Sequence, residues 1–338
     1  MFHSIAFIWF EFVTCAVLIG VAGTKLSRYA DVIADKTGLS GSWVGLILLA
    51  TVTSLPELVT GISALTLAHA PDIAVGGVMG SCVFNLAILV ILDFMIRGES
   101  VYHRAHRNHL LTAGFGIALI GFAGLSILLA SMGLTINISF TGIYTPIIMM
   151  LYLVAMRALF VREHTQIEHL VEQVASRYPD LTLRQASIGY AISALVVIAA
   201  GVYLPVVCAQ LAEIMGWHNS FVGTLFVAGV TSLPELAVTI AAVRMGALDM
   251  AVANLLGSNL FNILVLAIDD VIFIKGALLS HISVTHAVSA LSAVIMTGFI
   301  IIGLIYRPTT RLMFNIGWIS IGLMVLYLLN TYVLFIYG

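Results

Sequence analysis

The pentapeptide Thr-Ser-Leu-Pro-Glu occurs at residues 53–57 and again at 231–235, each time inside a long apolar stretch. A carboxylate at the centre of a membrane helix costs roughly 2.5–3.5 kcal/mol on insertion scales, and an interior proline removes a backbone hydrogen bond. Because the same costly combination occurs twice, we interpret the two copies as the halves of one functional site.

The composition around these motifs indicates an all-α polytopic membrane protein. The chain is 61% hydrophobic and 9% charged, whereas a soluble domain carries about 25% charged residues. Apolar runs of about 20 residues, long enough to cross a bilayer, recur from end to end. The predicted transmembrane helices cover residues 4–24, 41–68, 73–96, 109–130, 139–160, 186–210, 219–244, 250–274, 282–305 and 312–337.

The loop charges predict the orientation of these ten spans. Of the 14 Lys and Arg residues, 13 lie in the odd-numbered loops, and Lys275 alone lies in an even-numbered one. The positive-inside rule makes the odd-numbered side cytoplasmic. Both termini are therefore expected outside, in a membrane that the compact length suggests is a prokaryotic plasma membrane, with an organelle left open.

Each motif belongs to a longer internal repeat, since residues 42–93 align with 220–270 through one single-residue gap. Gly-Ser-x-x-Phe-Asn occurs at 80–85 and again at 257–262. Because five spans separate the copies, the second copy enters the membrane from the opposite side. This is the inverted-repeat architecture of secondary transporters. We therefore divide the chain into a five-helix repeat (1–160), a cytoplasmic linker (161–185) and an inverted five-helix repeat (186–338).

The proline predicts a broken helix at spans 2 and 7. Pro56 has no N–H, so the carbonyl of Val52 loses its helical partner and a second half-helix is expected to begin near the proline. Ser54 is expected to cap that half-helix, and Glu57 then lies in its first turn. The same reasoning applies at 230–235.

The polar residues of the two repeats form one candidate site. They are Thr53, Ser54, Glu57, Ser81 and Asn85 in the first repeat, and Thr231, Ser232, Glu235, Ser258 and Asn262 in the second. All of these side chains offer oxygen, which suits Ca²⁺ or Na⁺ and does not suit zinc or copper. We expect transported ions and no cofactor. An intramembrane protease would need paired Asp or Ser/His residues, which these spans lack, so we do not expect an enzyme.

The remaining ionisable residues in or near the spans are expected to be structural. Asp72 and Asp249 are predicted to cap spans 3 and 8. Asp93, Asp269 and Asp270 lie near span ends, where a solvated or packing role is favoured. His103, His106 and His109, mixed with arginines, are read as a basic stretch that faces lipid headgroups.

The two repeat cores resemble those of the calcium/cation antiporter superfamily, specifically the sodium/calcium exchangers and their prokaryotic relatives. The Thr-Ser-Leu-Pro-Glu and Gly-Ser-x-x-Phe-Asn motifs carry the resemblance. It implies that Glu57 and Glu235 are the central Ca²⁺ ligands, helped by the carbonyls of Thr53 and Thr231. It also implies that Na⁺ is held by Ser54, Ser81, Ser232 and Ser258, with the carbonyls of Ala50 and Ala228.

One position departs from the family pattern. Asn85 matches the usual residue, whereas many exchangers carry Asp at the position of Asn262. The function that the resemblance implies is Na⁺/Ca²⁺ exchange by alternating access, with spans 1 and 6 as the moving element. A Ca²⁺/H⁺ antiporter and a cation channel stay open as alternatives. The oligomeric state is also open, and a monomer is compatible with the sequence.

Overall fold

The protein is a bundle of helices. The computed structural model describes residues 5–37, 52–96, 99–167, 180–308 and 316–338. Within these ranges the β structure is one two-residue antiparallel pair, in which Asn137–Ile138 pairs with Thr141–Gly142. The all-α prediction is therefore confirmed for the part of the chain that the structure describes.

The elements follow one another in a simple order. The helices are α1 (Ile5–Lys36), α2 (Leu55–Thr66), α3 (Pro71–Met95), α4 (Val101–Arg104), α5 (His109–Ser131), α6 (Tyr144–Ile167), α7 (Leu183–Met215), α8 (Asn219–Val222), α9 (Ala228–Thr231), α10 (Leu233–Arg244), α11 (Leu248–Ile272), α12 (His286–Tyr306) and α13 (Trp318–Tyr337). A π-helical turn, Gly223–Val227, joins α8 to α9, and a 3₁₀ turn, Leu278–His281, precedes α12.

Eight of the described helices are long and apolar enough to cross a membrane, or nine if the bent pair 219–231 and 233–244 counts as one span. These nine correspond to nine of the ten predicted spans. The predicted span 41–68 falls partly outside the described residues, so the count of ten stays a prediction. Helices α1 and α7 have 32 and 33 residues and run past their predicted ends. The prediction counted only the 20 or so apolar residues that a bilayer requires, whereas a helix keeps its backbone hydrogen bonds after it leaves the bilayer.

Helices α3 and α11 form the centre of the bundle. They are the two most buried of the span-length helices, and they are the second elements of the two sequence repeats. Helix α3 contacts the π-turn through its glycines: a Cβ on Gly76 would lie 3.0 Å from the Cα of Gly223, and one on Gly80 would lie 2.6 Å from the Cα of Thr224. The close approach of the two backbones therefore requires glycine on α3.

The broken helix that the proline predicts at span 7 is confirmed. The segments Asn219–Thr231 and Leu233–Arg244 meet at an angle of 44°, and Ser232 at the break has φ −86° and ψ 6°. At the first motif, α2 begins after Ser54, whose φ of −90° and ψ of 12° repeat that geometry. The residues before 52 lie outside the described ranges, so a bend angle is defined only for the second motif.

The capping role predicted for the motif serines is wrong. Ser54 and Ser232 each occupy the residue before the second half-helix, but neither side chain makes a capping hydrogen bond. Each hydroxyl instead donates to a buried carboxylate on the other motif. In this orientation each serine O–H gains a charged acceptor, and such charge-assisted hydrogen bonds are stronger than neutral ones.

Candidate cation-binding site

The two motif glutamates lie at the centre of the bundle, in the first turns of α2 and α10. Glu57 is 2% exposed and Glu235 is 0% exposed. In each carboxylate, Oε2 has no hydrogen-bond partner among the described residues. The positive end of each half-helix favours a carboxylate in this position, yet a dipole alone does not compensate two buried charges.

Hydrogen bonds cross between the two motifs. Ser54 Oγ donates to Glu235 Oε1 at 3.2 Å, and Ser232 Oγ donates to Glu57 Oε1 at 3.3 Å. Each carboxylate is therefore held by the serine of the opposite motif. The two pentapeptides, 178 residues apart, build one site.

The second elements of the repeats complete this site with hydroxyls. Ser81 Oγ on α3 donates to Glu57 Oε1 at 3.3 Å and lies 3.4 Å from Thr231 Oγ1. Ser258 Oγ on α11 lies 3.4 Å from Thr53 Oγ1. The Ser81–Thr231 and Ser258–Thr53 contacts are equivalent in the two repeats, so the pairing has the same twofold character as the serine–glutamate bonds.

The two asparagines lie one turn further along α3 and α11, and both are fully buried. Asn85 Nδ2 donates to Asn259 Oδ1 at 3.1 Å, and Asn259 Nδ2 donates to the carbonyl of Cys82 at 3.1 Å. The Oδ1 of Asn85 and both polar atoms of Asn262 have no hydrogen-bond partner among the described residues. These amide oxygens are free to accept a cation.

Asn259 is a polar residue at this site that the sequence analysis missed. It follows Ser258 directly and occupies the position that Cys82 holds in the first repeat. The signal was this difference between the two copies, because a polar residue replaces a small core residue where most polar positions match. Only the structure shows that Asn259 bridges α11 to both Asn85 and Cys82.

Of the two alanines predicted from the family resemblance, the structure describes only Ala228. Ala50 lies outside the described residues. Ala228 is buried, and its carbonyl accepts from the Ser232 N–H at 3.0 Å and the Thr231 hydroxyl at 3.3 Å. A cation at this carbonyl would have to replace or share the bond from Thr231.

The site contains acids and no bases. Neither motif glutamate has an ion-pair partner among the described residues, and the histidine–carboxylate pairs His109–Asp249 and His286–Asp72 involve other acids. No group of three or more His, Cys, Asp or Glu side chains occurs in the described ranges that could hold a metal ion. The candidate site is therefore two carboxylates in a shell of hydroxyl and amide oxygens, which is the chemistry of a site for hard cations.

Two predictions about residues at the helix starts are wrong: the capping role of Asp72 and Asp249, and the lipid-facing position of His109. Asp72 and Asp249 do not cap α3 and α11; they accept hydrogen bonds from the neighbouring helix-start regions, including His286 at 3.0 Å and His109 at 2.9 Å. The reading of His109 as a residue facing lipid headgroups is wrong for the same reason. Each pair ties the start of a central helix to the start of an outer one.

Asp93 and Asp270 are not solvated, since both are fully buried. Asp93 accepts from the backbone N–H groups of Val101 and Gly317 and from the hydroxyl of Ser320. Asp270 accepts from two backbone N–H groups, those of Gly142 and Leu278, and from the hydroxyls of Tyr144 and Thr145. These two equivalent acids hold neighbouring segments together through hydrogen bonds. Of the solvated or packing role that was predicted for them, the packing role is therefore the one observed.

The fold is that of known cation exchangers. The chain superposes on the H⁺/Ca²⁺ exchanger CAX with a TM-score of 0.71 at 15% identity, covering 98% of this chain and 82% of that one. It superposes on the sodium-calcium exchanger NCX_Mj with a TM-score of 0.60 at 20% identity, covering 96% and 98%. At these identities the likeness concerns the fold, which is that of polytopic cation antiporters.

The sequence assigns the family more narrowly. The family model "Sodium/calcium exchanger protein" matches residues 7–162 and 186–335, and the chain belongs to this family. Among curated relatives, the inner membrane protein YrbG of Escherichia coli K12 is 26% identical over 249 residues, which are 74% of each chain. The chain is thus an integral membrane antiporter of the calcium/cation antiporter superfamily, of prokaryotic type, and its family is one of transporters.

Proposed function

We propose that this protein exchanges Ca²⁺ for Na⁺ across a membrane by alternating access at the two-glutamate site. The observation that carries the proposal is the pair of buried carboxylates, Glu57 and Glu235, without a basic partner among the described residues. Buried acids of this kind require a cation or a proton. Two carboxylates neutralise one divalent ion, and the surrounding oxygens suit Ca²⁺.

The proposed ligand assignment is the one that the family resemblance implies. Glu57 and Glu235 bind Ca²⁺, with the carbonyls of Thr53 and Thr231 beside them. The Na⁺ ions occupy positions next to the carboxylates, formed by Ser54, Ser81, Ser232 and Ser258, by the carbonyls of Ala50 and Ala228, and by the amide oxygens of Asn85 and Asn262. The crossed serine–glutamate bonds support this assignment, because a cation between the two carboxylates would touch both sets of hydroxyls.

The repeats are proposed to be inverted, with ten spans and both termini outside. The equivalent contacts around Glu57 and Glu235 support a twofold relation between 1–160 and 186–338, and the loop charges support the orientation. On this arrangement the linker 161–185 is cytoplasmic. The site lies near the membrane midplane, where both sides can reach it in turn.

The moving element is proposed to be the first helix of each repeat. Helices α1 and α7 pack against one another, with the ring of Tyr29 over Gly189. Gly23 of α1 lies under Pro234, and Gly201 of α7 lies against Val59 of α2. Because each long helix touches a motif helix through a glycine, a sliding motion of the pair would open the site to one side or the other.

Transport of ⁴⁵Ca²⁺ into proteoliposomes tests the proposal. Na⁺ inside the vesicles should drive uptake, and Glu57→Gln and Glu235→Gln should each abolish it. Glu213→Gln, at an exposed glutamate near the end of α7, is the matched control and should keep the wild-type rate. Full exchange in both glutamine variants of the motif would remove the site assignment.

The same experiment separates the alternatives. Coupling to H⁺ is the second candidate, because Asn262 leaves the site with two carboxylates and no third acid for an additional Na⁺. Uptake driven by a proton gradient without Na⁺ would replace Na⁺ by H⁺ as the counter-ion. Rapid flux without any counter-ion gradient would instead identify a cation channel.

A further inference from the structure

Asp269 is a buried carboxylate outside the candidate site. It lies in the last turn of α11, is fully buried, and neither carboxylate oxygen has a hydrogen-bond partner among the described residues. Its neighbour Asp270 is equally buried but accepts four hydrogen bonds. The two adjacent acids therefore have opposite environments.

The carboxylate of Asp269 occupies a space that a glycine leaves open. It lies against Gly61 of α2, where an added Cβ would be 2.7 Å from Oδ1 and closer still to Oδ2. Gly61 is one helical turn after Glu57, so the two residues lie on the same side of α2. The carboxyl group is thus at the α2–α11 contact, one turn away from the cation site.

The internal repeat shows that the fold does not require an acid at this position. In the alignment of the repeats, Asp269 corresponds to Leu92 and Gly61 corresponds to Thr239. Leu92 and Thr239 are both fully buried. An acid that served only the shared architecture would be expected in both copies, as Asp93 and Asp270 are. Asp269 and its glycine are instead present in one.

Asp269 has no ion-pair partner among the described basic residues, and both of its oxygens lack a hydrogen-bond partner there. On Asp269's own helix and on the elements packed against it, the titratable groups whose side chains the structure describes are Glu57, Asp72, Cys82, Asp93, His109, Tyr144, Tyr152, Arg157, Arg162, Glu235, Arg244, Asp249, Asp270 and His281. None of them forms a hydrogen bond with Asp269. A Na⁺ ion would need several oxygen ligands, whereas a single proton satisfies an isolated carboxyl group.

We propose that Asp269 is a proton-binding site coupled to transport. In the conformation described here one carboxylate oxygen carries a proton taken from water, which converts the carboxylate into a neutral carboxyl group. When α7 slides along α2 in the proposed transport motion and water reaches the group, the proton returns to water. The coupling rests on the proposed exchange function; the protonation itself does not.

Two variants test the proposal. Asp269→Asn keeps the shape and removes the proton, and Asp269→Leu restores the residue of the other repeat, so at least one is expected to fold. Difference infrared spectra of the purified Glu57→Gln/Glu235→Gln protein, which lacks the carboxylates of the candidate site, should show a protonated-carboxyl C=O band on a shift of pH. The band should be lost when Asp269→Asn or Asp269→Leu is added to that protein. Glu213→Gln is the control, because it removes an exposed carboxyl group outside the candidate site and should leave the band in place.

The second readout is Ca²⁺ exchange in proteoliposomes from about pH 5 to about pH 9, the range in which buried carboxyl groups titrate. We expect a pH-dependent rate in the wild type and a changed pH profile in both variants, in which only the carboxylates of the candidate site remain to titrate. An infrared band that survives Asp269→Asn, or a pH profile unchanged in both variants, overturns the proposal. If the wild type does not transport Ca²⁺, the exchange function fails, and the infrared band alone decides whether Asp269 binds a proton.

Discussion

The substitution Glu235→Gln separates the charge of the carboxylate from its shape. A glutamine keeps an oxygen where Ser54 donates its 3.2 Å hydrogen bond, so the contact between the two motifs survives. The substitution removes one of two negative charges at a site that is fully buried. Any loss of affinity therefore measures the electrostatic attraction between this carboxylate and the cation.

The size of that loss follows from the burial. Two unit charges 4 Å apart attract by about 4 kcal/mol at an effective dielectric constant of 20, and a divalent ion doubles this figure to about 8 kcal/mol. Desolvation of the ion offsets part of the gain, and removing one partner of a buried charge pair costs about 3–5 kcal/mol in practice. At 1.4 kcal/mol per tenfold change, the Kd for Ca²⁺ should rise roughly a hundredfold to several-thousandfold.

Thermal unfolding of the purified protein with and without Ca²⁺ measures this change without transport. Ca²⁺ at about one hundred times its Kd should stabilise the wild type by about 2.7 kcal/mol. At the same concentration Glu235→Gln should gain almost nothing, whereas Glu213→Gln should behave as the wild type. A Ca²⁺-dependent shift in Glu235→Gln equal to that of the wild type would refute the reasoning, because the carboxylate would then not contact the ion.

Three further predictions test the surrounding contacts. Ser54→Ala should weaken Ca²⁺ binding by about 1.5–3 kcal/mol, as expected for a hydrogen bond to a charged group. In double-mutant cycles measured by calorimetry, its effect should couple to that of Glu235→Gln and add to that of Glu57→Gln. The reverse pattern would contradict the crossed pairing of serines and glutamates. Gly61→Ala should destabilise the protein by about 1–3 kcal/mol because its Cβ overlaps Asp269, whereas Gly298→Ala, with no atom within 4 Å of the added Cβ, should not; equal melting temperatures would contradict the close contact. Asp270→Asn should lower the melting temperature through the loss of charge-assisted hydrogen bonds, while Asp269→Asn, which has none to lose, should leave it unchanged or raise it; the opposite order would mean that the two environments are wrongly assigned.

Much of the fold could be predicted because the membrane constrains it. Nine of the ten predicted spans correspond to described helices, and the break at residue 232 follows from a missing N–H at Pro234. The ends of α1 and α7 were not predictable from apolar length, since a helix that leaves the bilayer keeps its hydrogen bonds. The π-turn before α9 was also not predictable from the sequence, because it lies where α3 packs closely against Gly223.

The candidate site shows the same division. The repeated motifs identified the glutamates, serines, threonines and asparagines as one set, and the structure brings the eight motif and hydroxyl residues into contact. Capping by Ser54 and Ser232 was predicted from local rules and proved wrong, because a carboxylate from the other half of the chain is a better partner. The environments of Asp269 and Asp270, adjacent in sequence, could not be told apart without their neighbours.

The sequence by itself determined the class of protein, the positions of the helix breaks and the chemistry of the site, because each depends on residue type and spacing. It also determined that the site has two related halves, through the repeat. Only the tertiary structure decided which serine holds which glutamate, that Asn259 joins α3 to α11, and that Asp269 lacks the partners that Asp270 has. These are contacts between residues distant in the chain, and they depend on how the helices cross rather than on the pattern along any one of them.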